Sequence, residues 1–293
     1  MILVTHGTIK DWNPYRISHA LLQPEDLLIT HFQKSQKKYV SLQDALAGRG
    51  DALTVDDGTF AALHCVMLAR HYGHQVSWFI NGKHIEENLS YFPFQLSCMV
   101  DSTSRDKCFF DGKIWMLNNL SSRRLLRYRF KQVYMGLTCQ EDITQLIKTA
   151  TEALSVTPDY MDWALKTVSR AELEIAVDAG VDLQNHSWDH LNPQTLSEQG
   201  VADGIRQNDE YLTSLRVTKI RCFAPPFGQQ IEVQSTCVDR ILLADRSLCP
   251  GPYSAIAVNR HELTIKEAML VTESLPPFAV TTSSADTRDP LLT

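Results

Sequence analysis

A chain of 293 residues with 44% hydrophobic and 21% charged residues can bury a large core, which excludes disordered and fibrous classes and predicts one globular domain over 1–293. The formal net charge of -6 gives no general attraction to phosphate backbones or anionic lipid, so nucleic acid is not an expected partner. The start, Met1-Ile-Leu-Val-Thr-His6-Gly7, lacks a basic segment and argues against a secretory signal. No apolar stretch approaches the ~18 residues needed to cross a bilayer. The seven cysteines contain no C-x-x-C pair and read as reduced thiols of a cytoplasmic protein, not as a disulfide framework or thiolate zinc site.

In chain order, Ala52-Leu53-Thr54-Val55 is a short strand that runs into Asp56-Asp57-Gly58. Phe60, Leu63, Met67 and Leu68 recur at helical spacing, Gly73 stops that helix, and Gln75 to Ile80 is the next strand. Between about 86 and 158 this rhythm weakens. Aromatics from Tyr91 to Trp115 precede a basic run, Arg123 to Lys131, and an amphipathic helix carrying Ile143, Leu146, Ile147, Ala150 and Leu154. The segment reads as a mainly helical insertion packed beside or over a site. Its basic run reads as a solvated helix face, with a diphosphate-binding role as the alternative.

The alternation then resumes. Ser169 with Glu172 forms a capping box, Gly180 ends the helix, and the strand Val181 to Gln184 delivers Asn185-His186-Ser187-Trp188-Asp189-His190. A helix over 197–215 and a strand Lys219 to Phe223 follow, ending in Ala224-Pro225-Pro226-Phe227-Gly228. Strands alternating with helices predict an α/β fold with a largely parallel sheet or barrel, its active site at the strand C-termini.

Two adjacent carboxylates after a strand require a cation, because an unpaired buried charge is costly. His186 and His190, four residues apart, suit a single metal ion. Two histidines and one aspartate leave room for water, the open coordination of a hydrolytic site. Ser187 stands where a zinc protease needs glutamate, which argues against that chemistry. His64, His71 and His74, on the first helix and its end, read as solvated.

These segments together resemble the polysaccharide deacetylases with the NodB homology domain, carbohydrate esterase family four. Thr54-Val55-Asp56-Asp57-Gly58 is similar to the family's T-F-D-D-G, His186 to His190 to H-[ST]-x-x-H, and Phe223 to Gly228 to R-P-P-[YF]-G, all in family order. The resemblance covers most of 1–85 and 165–262. It implies a distorted (β/α) barrel with Asp56 as general base and Ser187 as a loop-stabilising hydroxyl. Asp57, His186 and His190 become ligands of one divalent metal, zinc first, with cobalt, nickel or manganese as alternatives. It also implies that Pro225, Pro226 and Phe227 line the substrate site and that a backbone amide there holds the oxyanion.

Two departures matter. Ala224 occupies the place of the family arginine that pairs with the base, and Arg221, three residues upstream, is the candidate substitute. The acid and its orienting partner are matched only by the candidates Asp245 and His261. His6 also follows a strand and is a candidate contact at the barrel mouth. The function expected is a cytoplasmic deacetylase of an N-acetylated sugar, a precursor in assembly of bacterial surface polysaccharide such as lipopolysaccharide O-antigen or capsule. One alternative is a hydrolase of another C–N bond, such as a cyclic amide, on the same barrel; Ala224 favours it. The other is a catalytically silent glycan-binding barrel, against which the intact set Asp56, Asp57, His186 and His190 argues.

Overall fold

The computed structural model describes residues 1–217, 222–228, 238, 240–244 and 257–263. Seven strands form its centre: β1 Ile2–Thr5, β2 Ala52–Asp56, β3 Val76–Ile80, β4 Asp182–Asn185, β5 Cys222–Phe223, β6 Arg240–Ala244 and β7 Ala257–Glu262. Each pairs in parallel with its neighbours, and the ring closes in the order β1-β7-β6-β5-β4-β3-β2. Every residue of β1, β2 and β3 is buried. Strands covered on both faces need such near-continuous apolar runs. The expected (β/α) barrel is thus the observed one.

Around the strands lie α1 Glu25–Lys34, α2 Phe60–His71, α3 Phe92–Ser102, α4 Leu120–Tyr134, α5 Gln140–Leu154, α6 Arg170–Asp178 and α7 Glu198–Ser214. Local signals place several of their ends. Thr59 caps α2 by accepting the Ala62 N–H at 3.1 Å, and Ser169 with Glu172 closes the capping box of α6. Among the described residues no helix is long and apolar enough to cross a membrane.

The inner face of α2 differs from the periodicity reading. Its buried residues are Ala61, Ala62, Cys65, Val66 and Ala69, while Phe60, Leu63, Met67 and Leu68 are only partly buried. Small side chains prevail because the helix approaches the backbone very closely: a Cβ on Gly7, at φ +130°, would lie 2.4 Å from the Ala61 carbonyl carbon. His74 also departs from expectation. It is fully buried, its Nδ1 accepting the Tyr39 N–H at 3.1 Å and its Nε2 donating to the Phe32 carbonyl at 3.3 Å.

Between the adjacent strands β3 and β4 the chain makes a long crossover containing α3, α4, α5 and an antiparallel hairpin, Lys107–Phe110 with Lys113–Met116. This crossover has a core of its own, built on Leu96, Met99, Leu126, Phe130, Ile143 and Leu154. The same cluster includes Tyr134 and Leu191 and packs against Phe227, so it abuts the strand ends that carry the candidate site.

Candidate metal centre

β2 ends in Asp56, and the backbone then turns through a left-handed Asp57, φ 68°. Non-glycine residues avoid this region, so neighbours must hold the turn. Trp78 donates its indole N–H to the Asp57 carbonyl at 2.6 Å, and the Gly58 N–H donates to the Tyr91 hydroxyl at 2.7 Å.

The second ligand loop follows β4 and contains two more left-handed residues, Ser187 at φ 72° and His190 at φ 54°. Three buried asparagines brace it. The Asn185 side-chain oxygen accepts the Ser187 N–H at 2.8 Å, and Asn81 donates to the Ser187 carbonyl at 3.0 Å and to the His186 carbonyl. Asn208 on α7 donates to Asn185 at 3.0 Å and to the Ile80 carbonyl at 2.8 Å. Ser187, expected to act through its hydroxyl, is tied to the loop through its backbone N–H and carbonyl.

These braces bring His186 Nε2 to 3.6 Å and His190 Nε2 to 3.3 Å from Asp57 Oδ1. One ligand atom from each residue lies within 4.8 Å of the others, and all three residues are buried. Asp57 Oδ1 is itself buried without a well-formed hydrogen bond. A buried carboxylate oxygen facing two imidazole nitrogens fits a divalent cation. Ring orientation agrees. His186 Nδ1 donates to the Ala224 carbonyl at 2.6 Å, which leaves Nε2 as the nitrogen that could bind an ion. Tyr134 donates to the His190 carbonyl at 2.9 Å, with its oxygen 3.5 Å from His190 Nδ1. Burial pulls His186 down to about 4, so its ligand form persists well into acid. Burial raises the Asp57 carboxyl, but the adjacent His190, then His6 and His186, outweigh it and hold Asp57 below the usual range.

Beside this cluster, Asp56 meets a partner not anticipated from the sequence. Arg260, on β7 and 1% exposed, grips both its oxygens, Nη1 to Oδ1 at 2.6 Å and Nη2 to Oδ2 at 2.7 Å. Nη1 also donates to the Thr54 hydroxyl at 3.3 Å, and the guanidinium lies 5.2 Å from the Phe79 ring centroid. Burial alone would raise the Asp56 carboxyl; Arg260, followed by His186, reverses this and holds it below the ordinary range.

Arg260 therefore makes with Asp56 the pairing for which Arg221 was the candidate, so the alanine at 224 does not leave Asp56 without a cation. Ala224 instead supplies the carbonyl that orients His186. Arg221 and Asp245 lie outside the described residues. His261 is exposed, one residue beyond the inward Arg260 and hence on the other face of β7, and it does not line the cavity. Strand parity is the signal that separates the outward His261 from the inward Arg260.

A cavity of about 130 Å³ opens over the cluster. Asp56, Asp57, His186 and His190 line it together with His6, Phe227 and Gly228, and the crossover contributes Pro93, Phe94, Arg127 and Lys131. Of the loop residues expected at the substrate, Phe227 is there. Pro225 and Pro226 are buried outside the lining, and Phe227 follows them at a φ of 63°, again left-handed. The basic run of α4, read as solvated, sends Arg127 and Lys131 to this wall.

The sequence model of the polysaccharide deacetylase family matches residues 49–236, which include Asp56, Asp57, His186 and His190. Among solved structures, a Streptococcus pyogenes deacetylase in complex with acetate superposes with a TM-score of 0.51 at 11% identity, covering 89% of this chain and 91% of its own. A polysaccharide deacetylase from Bacillus cereus gives 0.50 at 11% identity over 89% of this chain, which spans only 63% of that protein's length. No curated protein matches the chain significantly. At such identity the superpositions speak for the barrel alone. The family match covers more than half of the chain and coincides with the buried ligand cluster, so this chain belongs to the polysaccharide deacetylase family.

Proposed function

We propose that this protein is a metal-dependent hydrolase that removes the acetyl group from an N-acetylated sugar, in the assembly of a bacterial surface polysaccharide. The observation that carries the reading is the meeting of Asp57, His186 and His190 beside a carboxylate clamped by Arg260. The donor set of two imidazoles and one carboxylate suits zinc, with cobalt, nickel and manganese as competitors. A divalent ion held there would acidify a water and polarise the acyl carbonyl.

The chain's own residues supply the rest. Asp56, kept anionic by Arg260, accepts the proton of the attacking water on a carboxylate lone pair not used by the guanidinium. It then holds the proton that the leaving amine must receive. A backbone amide of the Phe227 loop stabilises the oxyanion, and His6 contacts the sugar.

The test is metal analysis of the purified chain together with acetate release from acetamido sugars. One ion per chain and acetate release, both lost in Asp57→Ala, are expected. Acetate release that survives Asp57→Ala, or a wild-type chain that binds no divalent ion, would overturn the reading.

A further inference from the structure

We propose that the outer face of the crossover hairpin, Lys107–Phe110 with Lys113–Met116, docks on an anionic lipid bilayer as a peripheral contact. Such docking requires neither a bound metal nor the proposed reaction.

An antiparallel hairpin with one face on a core and the other in water alternates apolar-in with polar-out. This hairpin is apolar on both sides. Cys108 and Phe110 turn inward and join the crossover core. Phe109 turns outward, as do Ile114 and Met116 on the opposite strand, and the three are 65%, 65% and 48% exposed. The register sets Phe109 directly across from Ile114 and Lys107 across from Met116, so all four side chains share one open face.

The exposed apolar surface continues onto α4. Arg129 pairs with Asp111 of the hairpin turn across 2.5 Å, which fixes the helix against the hairpin. Leu125, one helical turn before Arg129, is 61% exposed, and Tyr128 is 58% exposed. Large apolar side chains gathered at one surface and rimmed by polar ones mark a place of contact.

Charge selects the partner. The net charge of -6 gives the chain as a whole no attraction to anionic lipid, yet residues 105–131 carry eight Lys and Arg against two Asp. The long-range field follows this sum, whichever neighbours the individual side chains touch. On the hairpin itself Arg105, Lys107 and Lys113 are exposed, and of its two acids Asp111 is matched by Arg129. Apolar side chains among cations are the combination that enters a headgroup layer: the former bury at the acyl boundary, and the latter are drawn to anionic lipid. A second copy suits the face poorly, because a two-fold contact would set Lys107 and its neighbours against their own like charges. A nucleic-acid backbone would match the cations but offer Ile114 and Met116 no apolar counterpart.

The test is flotation of the full chain with phosphatidylcholine vesicles, with and without phosphatidylglycerol. Partitioning onto the anionic vesicles is expected to exceed that onto the neutral ones by about 10-fold or more. The double substitution Phe109→Ser, Ile114→Ser should lower it by about 10-fold, and Lys107→Glu by about 5-fold or more. Melting temperatures should stay unchanged, because all three side chains face water. Lys107→Glu leaves the apolar face intact and so reads the electrostatic part by itself. Equal partitioning onto neutral and anionic vesicles, or variants that float as the wild type does, would overturn the proposal. A chain that stays off every vesicle would overturn it as well. If that chain elutes as a dimer, and the double substitution makes it a monomer, the face belongs to a second copy instead.

Discussion

Replacing Arg260 with methionine preserves much of the side-chain volume inside the barrel but leaves Asp56, 4% exposed, without its cation. Breaking a fully buried pair by removing one partner costs about 3–5 kcal/mol, because the remaining charge is neither solvated nor matched. Against a typical domain stability of about 5–15 kcal/mol this is a large fraction. Asp56→Asn strands the guanidinium in the same way. The double variant contains neither charge and should be less destabilised than the two single losses together, with a coupling of roughly 3 kcal/mol. Urea unfolding of the metal-free chain, followed through the buried Trp78, measures all four corners of the cycle. Losses that add to within about 0.5 kcal/mol would refute the claim that the two side chains are energetically one unit. Arg260→Met should abolish most acetate release in the proposed reaction, since Asp56, the proposed base, loses the group that keeps it ionised and in place.

Burial pushes the Asp209 carboxyl up to about 6. The folded state then binds this proton more tightly than the unfolded one, so stability falls as pH rises between about 4 and 6. Asp209→Asn should flatten that decline in urea midpoints taken across the window; an unchanged slope would count against it. Asn208→Ala removes the brace on Asn185 and Ile80 and should weaken metal affinity by about 10-fold in competition with a chelator, as losses behind a ligand shell do. Gly7→Ala drives a methyl into the Ala61 backbone and should cost more than about 3 kcal/mol. Gly48→Ala, at φ +76° with nothing within 4 Å, should cost only about 1–2 kcal/mol for its left-handed backbone. Similar losses at the two glycines would show that close approach of α2 is not what Gly7 serves.

The residues that meet at the centre were legible wherever they stand at short spacing in the chain. Asp56 and Asp57 after a strand, and two histidines four apart after another, carry their meaning locally. Arg260 does not. Its partner is 204 positions away in the chain, and only the closed barrel brings them together. An arginine within a strand offers no cue beyond the parity that points it inward beside an outward His261. The amides of Asn81, Asn185 and Asn208 were missed for a related reason: uncharged braces have no spacing signature and act because the ends of β3 and β4 lie beside the middle of α7. The burial of α2 on its alanines was hidden because apolar periodicity marks the large residues. Close approach to a backbone instead selects the small ones.

The counter-ion of the base rides on β7, the strand that meets β1 and seals the ring. A growing chain acquires the last candidate ligand, His190, then the brace Asn208 and the Ala224 carbonyl that orients His186, and only at 260 the guanidinium that grips Asp56. In the proposed reaction, hydrolytic competence would thereby report on barrel closure.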